Sequence, residues 1–296
     1  MSEFAPPEVP LDELVDDVAD RTGEDPESVR TWLDPFTDDE SVRPEAIEAT
    51  VTDVSQILAT AETRVDLATR TVEGASDVVA DVPDLEIVRV RQNAFEERLA
   101  DLRSDVEGLG EELSGAANDL DSPVDIYEAA VDLHEVTTDA QRIVRVAHDL
   151  ETELEAFEAW LNSAPRRHDA FVDDVEAAEE SATGVAETVE SVRAADDPEP
   201  ERWFEAIVQN RVLEVVVADL RAEAADLRAW ADDEGHSFPA DAEKRIGGVA
   251  DRVAANADAL AEGPSLDGRL GERLDTLEAE LSAVEPPVAW ARGDGF

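Results

Sequence analysis

Two long runs of apolar residues, spaced alternately three and four apart, constrain the fold of this chain more than any other feature. The first run covers residues 85–120, and Gln92 is the only polar residue among its eleven positions. The second run covers residues 126–161, and all eleven of its positions are apolar. This spacing places one apolar stripe along one side of an α-helix, as in the seam of a coiled coil. We therefore predict two long helices, the second of which begins at Pro123.

The connection between these two helices is short enough to reverse the direction of the chain. Only Asp121 and Ser122 separate the two helical runs, since Pro123 suits the first turn of a helix and Ser122 can act as its N-cap. Each helix would be about 55 Å long at about 1.5 Å per residue. We therefore predict an antiparallel coiled-coil hairpin in which the two seams face each other.

The rest of the chain is also predicted to be helical. Caps, glycines and prolines divide the whole sequence into ten helical segments. Thr60 is expected to begin one of them as its N-cap, after a helix that opens near Pro44. The segment from Trp203 to Glu234 is apolar on nearly all sides in its first half, which is typical of a helix at the centre of a bundle.

The predicted fold class is therefore all-α. A long antiparallel coiled-coil hairpin is expected within an elongated helical bundle, behind a small N-terminal helical module. The expected parts are a small N-terminal helical module (1–58), an antiparallel coiled-coil region (59–195), a second bundle segment that packs on the coiled coil (196–285) and a Pro-rich tail (286–296).

Acidic residues dominate the charge of the chain. Its 75 Asp and Glu side chains outnumber 24 Lys and Arg side chains, which gives a formal net charge of -51. Such a charge repels nucleic-acid phosphates and anionic membrane surfaces. Lys244 is the only lysine. A large carboxylate excess with almost no lysine indicates a cytoplasm of very high salt, where screening weakens the self-repulsion of the chain, so we expect an extreme halophile as the source.

Two further absences narrow the class of protein. The chain has no cysteine, which excludes disulfide frameworks and thiolate zinc sites. No apolar run approaches the roughly 18 residues of a membrane-spanning helix, and the first twenty residues lack the basic and apolar regions of a signal peptide. We therefore expect a cytoplasmic protein that does not associate with membranes.

The four histidines are not arranged for metal binding or catalysis. His134 and His148 are predicted on one face of the second long helix, about 21 Å apart, which is too far to share a metal ion. The sequence contains no HExxH motif, phosphate-binding loop or nucleophile elbow. We therefore expect no metal, no cofactor and no enzymatic activity.

One face of the second long helix carries unusually little charge. The positions that follow alternate seam residues are Tyr127, His134, Gln141 and His148, which we call the partner stripe, and the next of these positions is Glu155. One explanation is that another helix of the same chain covers this side, most plausibly the helix from Pro165 or the helix from Trp203. The alternative is an exposed face on which a second protein docks, with the only tyrosine of the chain as its anchor.

Residues 11–33 have the length of a helix-turn-helix and, like that motif, a glycine turn between two helical segments. The second segment offers a single basic residue, Arg30, which is too few for a DNA-recognition helix. We therefore expect this part to be a packing module, and a nucleic-acid-associated regulator is the alternative function. The core of the module is expected to consist of five residues: Leu11, Leu14, Val18, Val29 and Leu33.

Five segments of the chain resemble the haloarchaeal family that is labelled "halo transducer protein". These segments are TAETRVDLA (60–68), VRVRQNAFEERL (88–99), DIYEAAVDL (125–133), LEAFEAWL (154–161) and RVLEVVVADLRAEAADLRAWADDEG (211–235). The resemblance implies a coiled-coil protein with a role in signal transduction. Together with the seams, it leads us to expect a non-enzymatic interaction or scaffold protein that binds a protein partner.

Overall fold

The computed structural model describes residues 9–38, 40–116, 120, 122–195, 199–263, 266 and 268–287. Of these residues 85% are helical, so the protein is all-α, as the sequence predicts. The described part also contains three strands of two residues each, which were not predicted because so short a strand carries no alternating pattern. Residues 288–296 of the predicted tail and the hairpin residue Asp121 lie outside the described residues.

Helices follow one another along most of the described chain. The elements are β1 (Val9–Pro10), α1 (Leu11–Thr22), α2 (Pro26–Leu33), β2 (Thr37–Asp38), β3 (Ser41–Val42), α3 (Pro44–Val79), α4 (Glu86–Ala116), α5 (Pro123–Leu161), α6 (Ala164–Ala194), α7 (Pro200–Glu234), α8 (Ala242–Ala261) and α9 (Arg269–Ser282). The Ser122 hydroxyl accepts a hydrogen bond from the backbone N–H of Asp125 (3.3 Å), which confirms the predicted N-cap of α5. Gly235 ends α7 with a φ of 73°, a conformation that glycine adopts without strain.

The predicted break at Thr60 is wrong. Helix α3 runs from Pro44 to Val79 without interruption. Inside it, the Thr60 hydroxyl donates a hydrogen bond to the Gln56 carbonyl one turn earlier (2.9 Å). A threonine can satisfy its hydroxyl in this way within a helix, and neither proline nor glycine stands near Thr60 to end the helix. The expected boundary between residues 58 and 59 therefore falls inside α3.

The chain divides into two compact units. One consists of Met1–Gly74 and Phe95–Glu155, and the other consists of Ala75–Ala94 and Ala156–Phe296. The division falls within the long helices α3, α4 and α5.

The first unit begins with a small segment formed by residues 9–42. Its strands form an antiparallel sheet in the order β1-β3-β2, beside α1 and α2. All five core residues predicted for this segment are buried. The side chain of Asp25 caps α2 by accepting a hydrogen bond from the backbone N–H of Ser28 (3.1 Å). We call residues 9–42 the N-terminal segment.

Helix α5 buries its whole predicted apolar stripe, and α4 buries part of its own. All the predicted seam residues of α5 are buried: Ile126, Ala129, Leu133, Val136, Ala140, Ile143, Ala147, Leu150, Leu154, Phe157 and Leu161. Within the first unit, Arg98 of α4 pairs with Glu153 of α5, and Asp105 of α4 pairs with Arg142 of α5 (3.5 Å). From the first pair to the second, the residue number rises from 98 to 105 in α4 and falls from 153 to 142 in α5. The two helices therefore run in opposite directions over these residues.

The second unit contains α6, α7, α8 and α9. Helix α7 packs against the other three, which confirms its predicted central position. Two hydrogen bonds, of 3.2 and 2.7 Å, join the Arg245 guanidinium of α8 to the Glu179 carboxylate of α6. The core of this unit also contains two buried amides, Asn210 of α7 and Asn256 of α8. The Nδ2 atom of Asn256 has no hydrogen-bond partner among the described residues.

Candidate interaction site

The partner stripe lies at the surface of α5. The side chains of His134, Gln141 and His148 are exposed, and that of Tyr127 is half-buried. The seam residues directly beside them are buried, which fixes the direction in which the stripe faces. An uncharged polar stripe is therefore presented on a helix whose outer face is rich in acids, such as Glu128.

The N-terminal segment contacts the first half of the stripe. Trp32 of α2 packs edge-on against His134, with 4.9 Å between the ring centroids and 71° between the ring planes. Burial raises the pKa of the Tyr127 phenol, and the nearby negative charge of Glu24 raises it further. Glu24 belongs to the turn between α1 and α2. The ring contact thus places Trp32 of α2 beside His134, which remains exposed like Gln141 and His148, and the turn before α2 lies near half-buried Tyr127.

Helix α3 lies along the flank of the stripe. Arg64 of α3 is 4.0 Å from the Glu151 carboxylate of α5, and Val144, two turns earlier on α5, is half-buried. The sequence favoured the helix from Pro165 or from Trp203 as the cover of this side. The contacts that the structure describes here come instead from α2 and α3, because the first unit brings the beginning of the chain against α5.

The basic side chains of the N-terminal segment are paired with acids. Arg21 pairs with Asp17 at 3.1 Å, and Arg30 pairs with Asp12, whose hydrogen bond raises the pKa of the guanidinium. Trp32, on the same helix as Arg30, is occupied by its contact with α5. The segment therefore presents an acidic surface on which the guanidinium groups of Arg21 and Arg30 are already paired. Such a surface is not suited to binding the phosphate backbone of a nucleic acid.

Sequence reasoning missed a buried arginine in the second unit. Only 1% of Arg167 is exposed, and its guanidinium lies 3.6 Å from the centre of the Trp230 ring. It donates a hydrogen bond to the Leu161 carbonyl at the end of α5 (2.8 Å) and pairs with Glu234 at the end of α7. Burial lowers the pKa of Arg167, but an arginine keeps its charge under such a shift.

This arginine belongs to a stack of aromatic rings and guanidinium groups. The Trp230 ring meets the Trp160 ring edge-on at 5.6 Å, and Arg91 lies over the other tryptophan, Trp160, at 4.4 Å. Arg91 also pairs with buried Glu223 at 2.8 Å. The stack therefore ties α4, α5, α6 and α7 together inside the second unit. A signal for it was available, since Arg167 precedes the buried apolar residue Phe171 of α6 by four positions.

The histidine beside Arg167 is also part of this region. His168 packs edge-on against Phe238 at 5.7 Å. Its pKa is lowered, first by burial and then by the positive charge of Arg167 and by His236. His168 is therefore a neutral packing residue near pH 7.

An open cleft of about 420 Å³ lies between α7 and α9. Its lining includes Val215, Leu281 and the side chain of Arg211. Arg211 pairs with Glu214 at 2.8 Å and with Glu278 at 3.1 Å. Because these carboxylates already neutralise the guanidinium, the cleft supplies little to orient a small-molecule ligand.

Within the described ranges, no three His, Cys, Asp or Glu side chains form a group that could hold a metal ion. None of the helices in that part of the chain is both long and apolar enough to cross a membrane. No protein-family model, curated protein or solved structure matches this chain. Its function must therefore be inferred from its own residues.

Proposed function

We propose that this protein is a non-enzymatic coiled-coil interaction or scaffold protein that binds a protein partner along the partner stripe. The exposure of Gln141 and His148, next to a fully buried seam, is the observation that carries the proposal. Exposed polar groups without charge cost little to desolvate, so they suit the centre of an interface. Half-buried Tyr127 supplies an aromatic anchor at one end of the stripe.

The scaffold itself is proposed to be an antiparallel coiled-coil hairpin of α4 and α5, with residues 9–42 as a small N-terminal helical module. Two observations support this organisation. Arg98 and Asp105 of α4 pair with Glu153 and Arg142 of α5, so the pairs follow opposite directions along the two helices. The seam of α5 is also buried along its length. The N-terminal residues include buried apolar side chains, such as Leu14 and Val29, and α1 packs against α2.

The chemistry around the stripe indicates what kind of partner it fits. Acidic side chains such as Glu128 and Glu135 border the uncharged residues. A complementary partner is a protein helix with neutral polar residues at its centre and basic residues at its edges. The resemblance to the halo transducer family supports a role in signal transduction within a cytoplasm of high salt.

The proposal is tested by recovering the partner from a native lysate in molar KCl with two matched variants. Gln141→Ala combined with His148→Ala truncates the free half of the stripe. Glu107→Ala combined with Glu111→Ala changes two exposed acids of α4 instead of α5. We expect the stripe variant to lose a partner that the control retains, with equal helicity by circular dichroism. Equal recovery with both variants would refute the proposal.

A further inference from the structure

The first half of the partner stripe is contacted by another part of the same chain. Tyr127 is half-buried beside Glu24, and His134 lies against Trp32. Both contacts come from the N-terminal segment, which follows one continuous course from β1 to β3. A partner that contacts the whole stripe would therefore have to bind where α2 already contacts α5.

We propose that the N-terminal segment is an internal competitor for the partner stripe, which holds the interaction surface closed until α2 is displaced from α5. This inference rests on the proposed function, since it concerns the regulation of the same surface. The competing contact is the edge-on packing of Trp32 on His134, and the open remainder of the stripe, Gln141 and His148, is where a partner first binds.

The way in which the N-terminal segment is built suits such a role. Its sheet pairs strands of the segment with one another, and the segment contains buried apolar residues such as Leu33 and Val42. Trp32, by contrast, remains half-exposed against α5. An aromatic pair of this kind contributes only a modest free energy. A partner that makes a few good contacts can therefore replace it.

The chain offers a direct spectroscopic probe of this contact, because Tyr127 is its only tyrosine. Phenolate formation can be followed by ultraviolet absorbance during a pH titration, with circular dichroism recorded at each pH. In Trp32→Ala, we expect the pKa of Tyr127 to fall toward the ordinary value of a tyrosine, since the phenol becomes more exposed and Glu24 moves away. Thr31→Ala, at an exposed position of the same helix, should leave this pKa unchanged.

The same full-length variants are then used to recover the partner in molar KCl. Trp32→Ala should increase recovery by a factor of roughly two to ten, the range that corresponds to the loss of one aromatic pair. Trp32→Phe, which keeps an aromatic ring, should restore both the pKa of Tyr127 and the recovery of the parent protein.

The possible outcomes separate the two proposals. If the pKa of Tyr127 does not change in a folded Trp32→Ala variant, the N-terminal segment does not cover the stripe and the inference is wrong. If recovery falls in Trp32→Ala while the pKa falls as expected, Trp32 belongs to the partner's binding surface, and competition is refuted although the proposed function stands. If the variant at Gln141 and His148 also recovers the partner normally, the proposed function fails, and the competition that rests on it is overturned as well.

Discussion

Replacing Arg167 by alanine should destabilise the second unit far more than the same change at its neighbour, Arg166. Arg167 is 1% exposed and donates hydrogen bonds to the carbonyl oxygens of Leu161 (2.8 Å) and Trp160 (3.4 Å). Arg166 is exposed. The two positions therefore provide a matched pair in which the chemistry of the change is identical and only the environment differs.

The magnitude follows from what the guanidinium contacts. Buried carbonyl oxygens that lose their donor cost about 1–3 kcal/mol, and a desolvated cation over an aromatic ring, as over Trp230, contributes about 2 kcal/mol. The Glu234 carboxylate is one-third exposed and can regain water, so its loss of a partner adds little. Removal of a buried charge also relieves its desolvation cost. We expect a net loss of about 3 kcal/mol for Arg167→Ala and less than about 0.5 kcal/mol for Arg166→Ala.

Urea unfolding in molar KCl, followed by circular dichroism, measures both changes as shifts of the midpoint at constant slope. Arg167→Lys should fall between the two alanine variants, because lysine keeps the charge but has neither the planar fork nor the stacking surface. Free energies of unfolding that agree within about 0.5 kcal/mol for Arg167→Ala and Arg166→Ala would refute the reasoning, because the burial of Arg167 would then contribute nothing to stability.

Three further outcomes can be measured in the same way. Leu102→Asp places a charge at a buried position of α4 and should cost about 3 kcal/mol, whereas Glu107→Asp, at an exposed position, should be silent; equal losses would mean that the seam of α4 has another register. Asn256→Leu removes a buried amide whose Nδ2 atom has no partner among the described residues and should raise the free energy of unfolding by about 1–2 kcal/mol, and a lower value would contradict this. The charge of -51 should make helicity fall as KCl is lowered from about 3 M to about 0.05 M, and a constant spectrum would show that screening is not required.

The parts of the fold that the sequence predicted well are those that local rules decide. The seam of α5 is one case, since spacing alone identifies Leu133 and Leu150 as residues on a buried side. The start of the same helix is another, because Ser122 and Pro123 form a cap and a first turn with neighbours in sequence. The predicted break at Thr60 is wrong because a local rule alone did not decide it. A threonine fits both an N-cap and a helix interior, and only the absence of a helix breaker around it decides between them.

The contacts that sequence reasoning missed join residues far apart in the chain. Periodicity shows which side of α5 is buried and which is free, but it does not show that Trp32 reaches His134 across about a hundred residues. For the predicted partner stripe, a helix later in the chain was expected as the neighbour, whereas the described contacts come from α2 and α3.

Polar residues at seam positions carry the signal that would have revealed more of these contacts. Extension of the α6 seam backwards from Phe171 by one step of four reaches Arg167, where a charged residue occupies a position that should be apolar. Gln92 is the corresponding exception in α4, and its amide donates a hydrogen bond to the Ser76 hydroxyl (3.3 Å). A buried polar group is tolerated only where partners satisfy it, so an exception in a regular seam marks a place where another element must approach with a matching group. For Arg167 these partners are the end of α5 and the end of α7, which explains why one substitution there should loosen three helices at once.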